Sequence, residues 1–412
     1  MLQQLNIALI GAGPAGLAAA LYLHRQGHKL TILEQFDRPA PIGSGLLLQP
    51  TGMTILHDLG CLEKALHHGN RINRLTGIET RSKRHVLDVH YSAFRKNRFG
   101  LGINRSALFD ILFEQVNQAG IPIQTSTKAD GLEYRNTKIL PVDHTGATQG
   151  EFDCIIDASG ANSNLKHYSK NPGSHKTLEY GALWTTLKWA DNGFVSDALT
   201  QRYERASIMI GILPSGTTFA NPAPAATFFW SLKPENYNQL LNSGLDNWKD
   251  HVLSYWPECD DYMDQIERFD QLAVARYGHH TMTIPAGNCI AFIGDAAHST
   301  SPQLGQGANM ALLDAYALGQ AFAQSETLEE ALSAYCRMRR WHVRIFQALS
   351  YLFTPMYQSN STVLPLLRDQ IIPLAARFSI THKLMASMVA GTLISPFPAL
   401  GLEEVEWDEM KD

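Results

Sequence analysis

Apolar and polar positions change rhythm several times along the chain. Leu5–Ile10 is a mostly apolar run of strand length, followed by the turn Gly11-Ala12-Gly13-Pro14-Ala15-Gly16 and an Ala- and Leu-rich stretch with helical character. After Gly27 a second strand, Lys29–Glu34, completes a strand-helix-strand unit. A further apolar run ends at Ile293; a glycine-punctuated loop follows, then a helix expected over Ala308–Leu318. Residues 178–190, 206–216 and 225–234 instead alternate apolar and polar positions between turn signals, as strands do. From Arg337 the chain is first basic, then apolar and rich in Met, in a pattern of helices. These rhythms predict an α/β fold with a Rossmann-like lobe, a mixed or antiparallel sheet lobe and C-terminal helices. The expected boundaries assign residues 1–80, 101–175 and 281–340 to the first lobe, 81–100 and 176–280 to the second, and 341–412 to a helical segment.

Composition narrows the function classes. At 412 residues, two lobes are expected rather than one core. A hydrophobic share of 45% with 18% charged residues suits a globular enzyme, and a net charge of -5 excludes a general nucleic-acid binder. Cys61, Cys154, Cys259, Cys289 and Cys336 are scattered, with no CxxC pair, which points to a reducing cytoplasm and to no metal site. No secretory signal is expected at the N-terminus. The longest uncharged stretch, Leu384–Leu402, is broken by Pro396 and Pro398 and makes a poor membrane span.

The chemistry lies in two glycine-rich turns. In the first, Gly11 permits the tight turn, Gly13 lets a pyrophosphate approach the backbone, and Gly16 lets helix and strand pack closely. Pro14 and Ala15 open the helix, whose N-terminus offers free N–H groups to phosphate. Glu34 ends the second strand, where its carboxylate can accept from ribose hydroxyls. Dinucleotide binding follows. In the second turn, Asp295 sits past a strand end, placed for a sugar-like hydroxyl chain. Gly305, Gln306 and Gly307, continuing into Ala308 and Asn309, form a nest of backbone N–H groups for an anionic ring edge, with Pro302 as a wall.

The stretch GDAAHSTSPQLGQGANMALLDA, with GAGPAG and Glu34 at their spacing, resembles the single-component FAD-dependent aromatic hydroxylases of the para-hydroxybenzoate hydroxylase type. The second turn then holds the flavin end of the same FAD. Residues 43–60, including Gly45, are similar to that family's mobile loop, and Arg105 matches its helix-leading arginine. Arg38 is a further cofactor candidate, and Asp157 ends the strand that carries a third motif. The resemblance implies NADPH or NADH as a transient reductant, O2 and a small aromatic substrate as partners, and hydroxylation of a phenol- or quinol-type ring through a flavin hydroperoxide. One departure stands out: the third motif's Asp and Arg are here Ser159 and Lys166, which removes a carboxylate and the planar guanidinium.

On the substrate side the sequence names no catalytic residue. His279 and His280 are candidates for deprotonating a phenol, and Trp184, Tyr203, Phe228, Phe229 and Trp230 supply the aromatic content of the second lobe. The tail has three open readings: packing on the first lobe, contact with a partner subunit, or peripheral contact with a membrane. Two other functions fit the same motifs, an FAD-dependent reductase or dehydrogenase and a flavin-binding protein without turnover. The sequence leaves the oligomeric state open.

Overall fold

The computed structural model describes residues 2–38, 44–375 and 378–410. Gly43, where the expected mobile loop starts, lies outside them. The two strands expected at the N-terminus form and pair in parallel, Asn6–Ile10 and Lys29–Leu33, joined by the helix Pro14–Arg25. Pro14 occupies the first helical turn, where a missing N–H costs no helical bond. Cys154–Asp157 pairs in parallel on the other side of the first strand, Ile290–Phe292 pairs with it in turn, and Ile123–Gln124 extends the opposite edge. The registers align Gln124, Leu33, Ile10, Asp157 and Phe292 in one row. Five strands therefore release their chains at a single edge of the sheet.

Helices Pro14–Arg25 and Gly307–Gln324 pack against each other on one face of this sheet. Gly319 permits the approach, since a Cβ there would lie 2.8 Å from that of Tyr22. The helix expected over Ala308–Leu318 thus runs longer at both ends.

The second lobe is a seven-stranded mixed sheet. Its spatial order is Ala273–Ala275, Gly181–Lys188, Ala225–Leu232, Ile208–Gly216, Ala198–Glu204, Arg74–Glu79 and His85–His90. The pairing of Ala198–Glu204 with Arg74–Glu79 is parallel and the rest are antiparallel. The chain enters this sheet at Arg74, ahead of the boundary read from sequence at residue 80. The expected alternation is replaced in the central strands by burial on both faces, because each face is covered. Phe228 and Trp230 pack with Trp248 and Trp256 beneath the helices of residues 237–263, while Tyr203 and Phe229 pack with Tyr357 on the opposite face.

Tyr357 ends a 30-residue helix, Leu328–Tyr357, which runs unbroken through the boundary expected at 340/341. Thr327 and Glu330 form a capping box at its start, and each satisfies a backbone N–H of the other. Helices Val363–Ala375 and Ser379–Val389 follow. Among the described residues no helix is long and apolar enough to cross a membrane.

A buried charge cluster ties the long helix to the rest. The carboxylate of Asp314, wholly inaccessible, accepts from Gly294 N at 2.8 Å, His298 Nε2 at 2.5 Å and Arg339 Nε at 2.6 Å. Despite the cost of burial, His298 and Arg339 hold its pKa down at about 2. Arg339 also faces His342 Nδ1 at 3.3 Å, and His342 Nε2 lies 2.9 Å from the Gly391 carbonyl. A guanidinium can only donate, so Nδ1 must accept and Nε2 must carry the proton. His342 is therefore neutral, with its pKa lowered from 6.5 to about 3 by burial first and the Arg339 charge second.

A depressed histidine pKa gives stability that is present above the unfolded value and is lost as pH falls toward the folded one. His342→Gln keeps one donor and one acceptor without titrating. The stability advantage of wild type over this variant, from urea midpoints, is expected to shrink as pH drops from about 6.5 toward 4. A difference that stays constant over that interval would contradict the assignment. Asp314 adds a separate loss only below about pH 4.

Candidate functional site

The edge where the five strands end opens into a cleft of about 620 Å³, lined by residues from every one of the released loops. This size suits an organic cofactor or drug-sized ligand. Gly11, Gly13, Pro14 and Ala15 come from the first turn, Glu34 from the second strand end, Arg105 from the head of the helix Arg105–Gln118, and Asp295, Gly307 and Ala308 from the second turn. Helices Pro14–Arg25 and Gly307–Gln324 both begin at the cleft. Two helix N-termini, each with unpaired N–H groups and partial positive charge, face one volume.

The glycines have separate jobs. Gly11 adopts φ +101°, and a Cβ there would lie 2.8 Å from the Ala158 carbonyl. Gly16 lies outside the cleft and packs its Cα on the Gly11 carbonyl, where a Cβ would sit at 2.0 Å. At Gly13 and Gly160 a Cβ would meet no protein atom within 4 Å, so these two leave the cleft open beside the backbone. That is a cradle side chains would fill, and it fits a pyrophosphate-bearing cofactor. Glu34, buried, accepts from Ala12 N at 2.7 Å and from Phe36 N at 3.1 Å, which fixes its carboxylate at the rim.

The third motif is organised by Asp157. Its carboxylate accepts from Ser159 N at 2.9 Å, Ser159 Oγ at 2.6 Å and Ser163 Oγ, and so holds the 158–164 turn from below. Burial raises its pKa, while the bonds from Ser159 and Ser163 oppose that rise. Ser159 thus spends its hydroxyl on an internal carboxylate. Lys166 reaches the Ala161 carbonyl at 2.5 Å, and burial lowers its pKa against the pull of Asp157 and Asp295.

Other expected residues fall outside the cleft lining. Arg38 is exposed and is not brought to it. Gly45 donates its N–H to Thr227 Oγ1 at 2.9 Å; a Cβ would lie 2.2 Å from that oxygen, so this glycine docks the loop on the second sheet while Leu46 reaches the cleft. Pro302 opens a short 3-10 turn that Gly305 caps, and neither lines the cleft. The side chains of Gln306 and Asn309 point into the protein, to the Val389 carbonyl at 2.7 Å and to Gln49 N at 2.7 Å, and serve as scaffold. Thr300 and Ser301 anchor the same loop to Ser350 and Thr354 of the long helix.

His279 and His280 are buried and do not line the cleft. His280 Nε2 lies 2.7 Å from the Pro172 carbonyl, His279 packs edge-on to Tyr351, and burial lowers both pKa values. Their neighbour Tyr277 is the residue that sequence reasoning missed. It accepts a 2.6 Å bond from Trp184 Nε1 of the second sheet, and burial pushes its phenol up to about 12 against the Trp184 bond and the Arg105 charge. Tyr277 does not itself line the cleft; it is bonded to the second sheet and feels the charge of the cleft residue Arg105. Thr127, Lys128, Asn162 and Asn164 were also missed as lining residues. No motif marks Thr127 and Lys128; their loop follows Ile123–Gln124, and only the pairing of that strand with Lys29–Leu33 brings it to the site.

A family model described as an FAD binding domain matches residues 4–346. The chain is 24% identical over 389 residues to 6-methylpretetramide 4-monooxygenase of Streptomyces rimosus, covering 90% of this chain and 89% of that one. It is 23% identical to 3-hydroxybenzoate 6-hydroxylase of Klebsiella oxytoca, with 79% and 82% covered. Its fold is similar to that of Klebsiella pneumoniae HpxO complexed with FAD and uric acid, with a TM-score of 0.78 at 18% identity and 95% and 99% of the chains covered.

Gly16→Ala tests the first turn. With the Gly11 carbonyl at 2.0 Å from the added methyl, the turn must shift, and a loss of about 1–3 kcal/mol of stability is expected. Thermal unfolding and the amount of copurifying chromophore both read it; an unchanged melting point would show that the turn yields freely.

Proposed function

Since the chain belongs to the FAD-binding family and is an FAD-dependent monooxygenase, we propose that it hydroxylates a small, electron-rich aromatic substrate with O2 and a reduced nicotinamide. The observation that carries this reading is the single cleft shared by two helix N-termini, with Glu34 and Asp295 both on its lining. In this reading Glu34 receives the adenosine ribose, the Gly11–Gly16 turn the pyrophosphate, Asp295 the ribityl chain, and the N–H groups at Gly307 and Ala308 the anionic edge of the ring. Bound FAD would supply the oxygen activation; the residues supply position, charge and exclusion of water.

The aromatic substrate is assigned to the side of Arg105, which lines the cleft and whose charge reaches Tyr277, itself bonded to Trp184 of the second sheet. Two comparisons support an aromatic of this size: one relative is named a 3-hydroxybenzoate hydroxylase, and one structural neighbour holds uric acid. Lys166, attracted by the charges of Asp157 and Asp295, keeps a cation where a guanidinium is usual, which supports retention of the nicotinamide step. Five unpaired cysteines support a reducing, cytoplasmic setting.

The test is anaerobic. Purified protein is expected to show a flavin spectrum that bleaches on addition of NADPH or NADH, faster in the presence of one member of a phenol panel. If FAD is bound and neither nicotinamide bleaches it under any condition, the self-contained hydroxylase is wrong. Tyr277→Phe is expected to raise KM for the accelerating phenol roughly tenfold through the lost hydrogen bond. Flavin content should stay unchanged, and an unaltered KM would remove Tyr277 from the substrate side.

A further inference from the structure

Away from the cleft, the surface of the last helices has an unusual distribution of residue types. On Val363–Ala375 the side chains of Val363, Leu366, Leu367, Ile371 and Leu374 face solvent, with Leu366 62% exposed. Their spacing follows the helical repeat, so they form one stripe. The charge lies on the opposite side: Arg368 is buried, its guanidinium stacked over the rings of Tyr203 and Tyr357 and its Nε 2.7 Å from Asp369. A helix with its arginine inward and its leucines outward is inverted for contact with water.

The stripe has neighbours. Phe378, Ile380 and Leu384 are exposed at the helix Ser379–Val389, and Tyr351 and Leu352 are exposed on the long helix. Val363–Ala375 packs on the long helix and on the strand His85–His90, and Ser379–Val389 packs on that same strand. An apolar surface of this extent marks an interaction site.

Charge decides the partner. Between Glu330 and Glu403 the sequence holds one acid, Asp369, and seven Lys and Arg, in a chain whose net charge is -5. Arg339 and Arg368 of these are internal, while Arg340 and Lys383 are exposed. Arg344 lies over the exposed ring of Trp341, and Lys176 lies over that of Tyr351. Two copies meeting symmetrically through this face would set these cations against one another, which disfavours self-association. An anionic bilayer satisfies both features, with apolar side chains entering the acyl boundary and cations at the headgroups. We propose that this face docks the protein on an anionic lipid surface without spanning it.

Flotation of the holoenzyme with vesicles of phosphatidylcholine, alone or mixed with phosphatidylglycerol, tests this. Binding to the mixed vesicles at low salt, weakened by added salt, is the expected result. The double variant Leu366→Asp/Ile371→Asp changes only exposed positions and should keep its melting point and flavin spectrum while its bound fraction falls about tenfold or more. Arg340→Glu/Arg344→Glu should lose the preference for the anionic vesicles. The proposal is overturned if the mixed vesicles capture no more protein than neutral ones at low salt, or if the aspartates leave capture unchanged. A concentration-dependent dimer in vesicle-free sedimentation, dissolved by the same aspartates, would assign the face to a second copy instead.

Discussion

The alignment of five strand ends in one row governs the remaining structure. Gln124, Leu33, Ile10, Asp157 and Phe292 are register partners, so the loops that leave them have no choice but to meet. Each loop brings one function: glycines that clear space, the carboxylates of Glu34 and Asp295, the Asp157-bound turn, and the start of the helix Gly307–Gln324. The parallel pairing of these five strands makes this economical, because they all run in the same direction and their exits face the same side. The cleft is a product of topology first and of side chains second.

What keeps the row from drifting is the Asp314 carboxylate. It sits on one helix, receives the backbone of Gly294 immediately before Asp295, and is neutralised by Arg339 from the long helix. A buried pair of this kind is costly to form, and breaking it by removing one partner leaves an uncompensated charge. Its value here is positional: it fixes the height of the second turn against two helices at once. The hydroxyl contacts of Thr300 and Ser301 with Ser350 and Thr354 extend the same constraint along the loop.

Much of this was legible in the sequence where local physics acts alone. The strand-turn-helix units and the glycine roles at 11 and 16 follow from steric rules, and Glu34 and Asp295 sit where a strand end must place them. Legibility failed where a residue's position depends on distant pairing. Lys128 reaches the cleft only because Ile123–Gln124 pairs with Lys29–Leu33, and Tyr277 meets Trp184 only because distant segments come together. Gln306 and Asn309 fit the motif by position, yet their side chains turn inward to Val389 and Gln49, partners that no local pattern announces. The paired histidines, candidates for deprotonating a phenol, lie away from the cleft lining because strand pairing and the loop at Ser299 bury both.

The strand order also sets a timetable for synthesis. Asn6–Ile10 has Cys154–Asp157 as one neighbour, and the next strand on that side, Ile290–Phe292, is made far later. The N-terminal turn leaves the ribosome early but remains half a site until the second turn emerges, followed by the long helix whose Arg339 neutralises Asp314. Domains assembled from such non-local pairings fold slowly and expose apolar edges while they wait. A nascent chain halted before Asp295 lacks the part of the cleft lining formed by Asp295, Gly307 and Ala308, so the cleft is complete only after most of the polypeptide has been made.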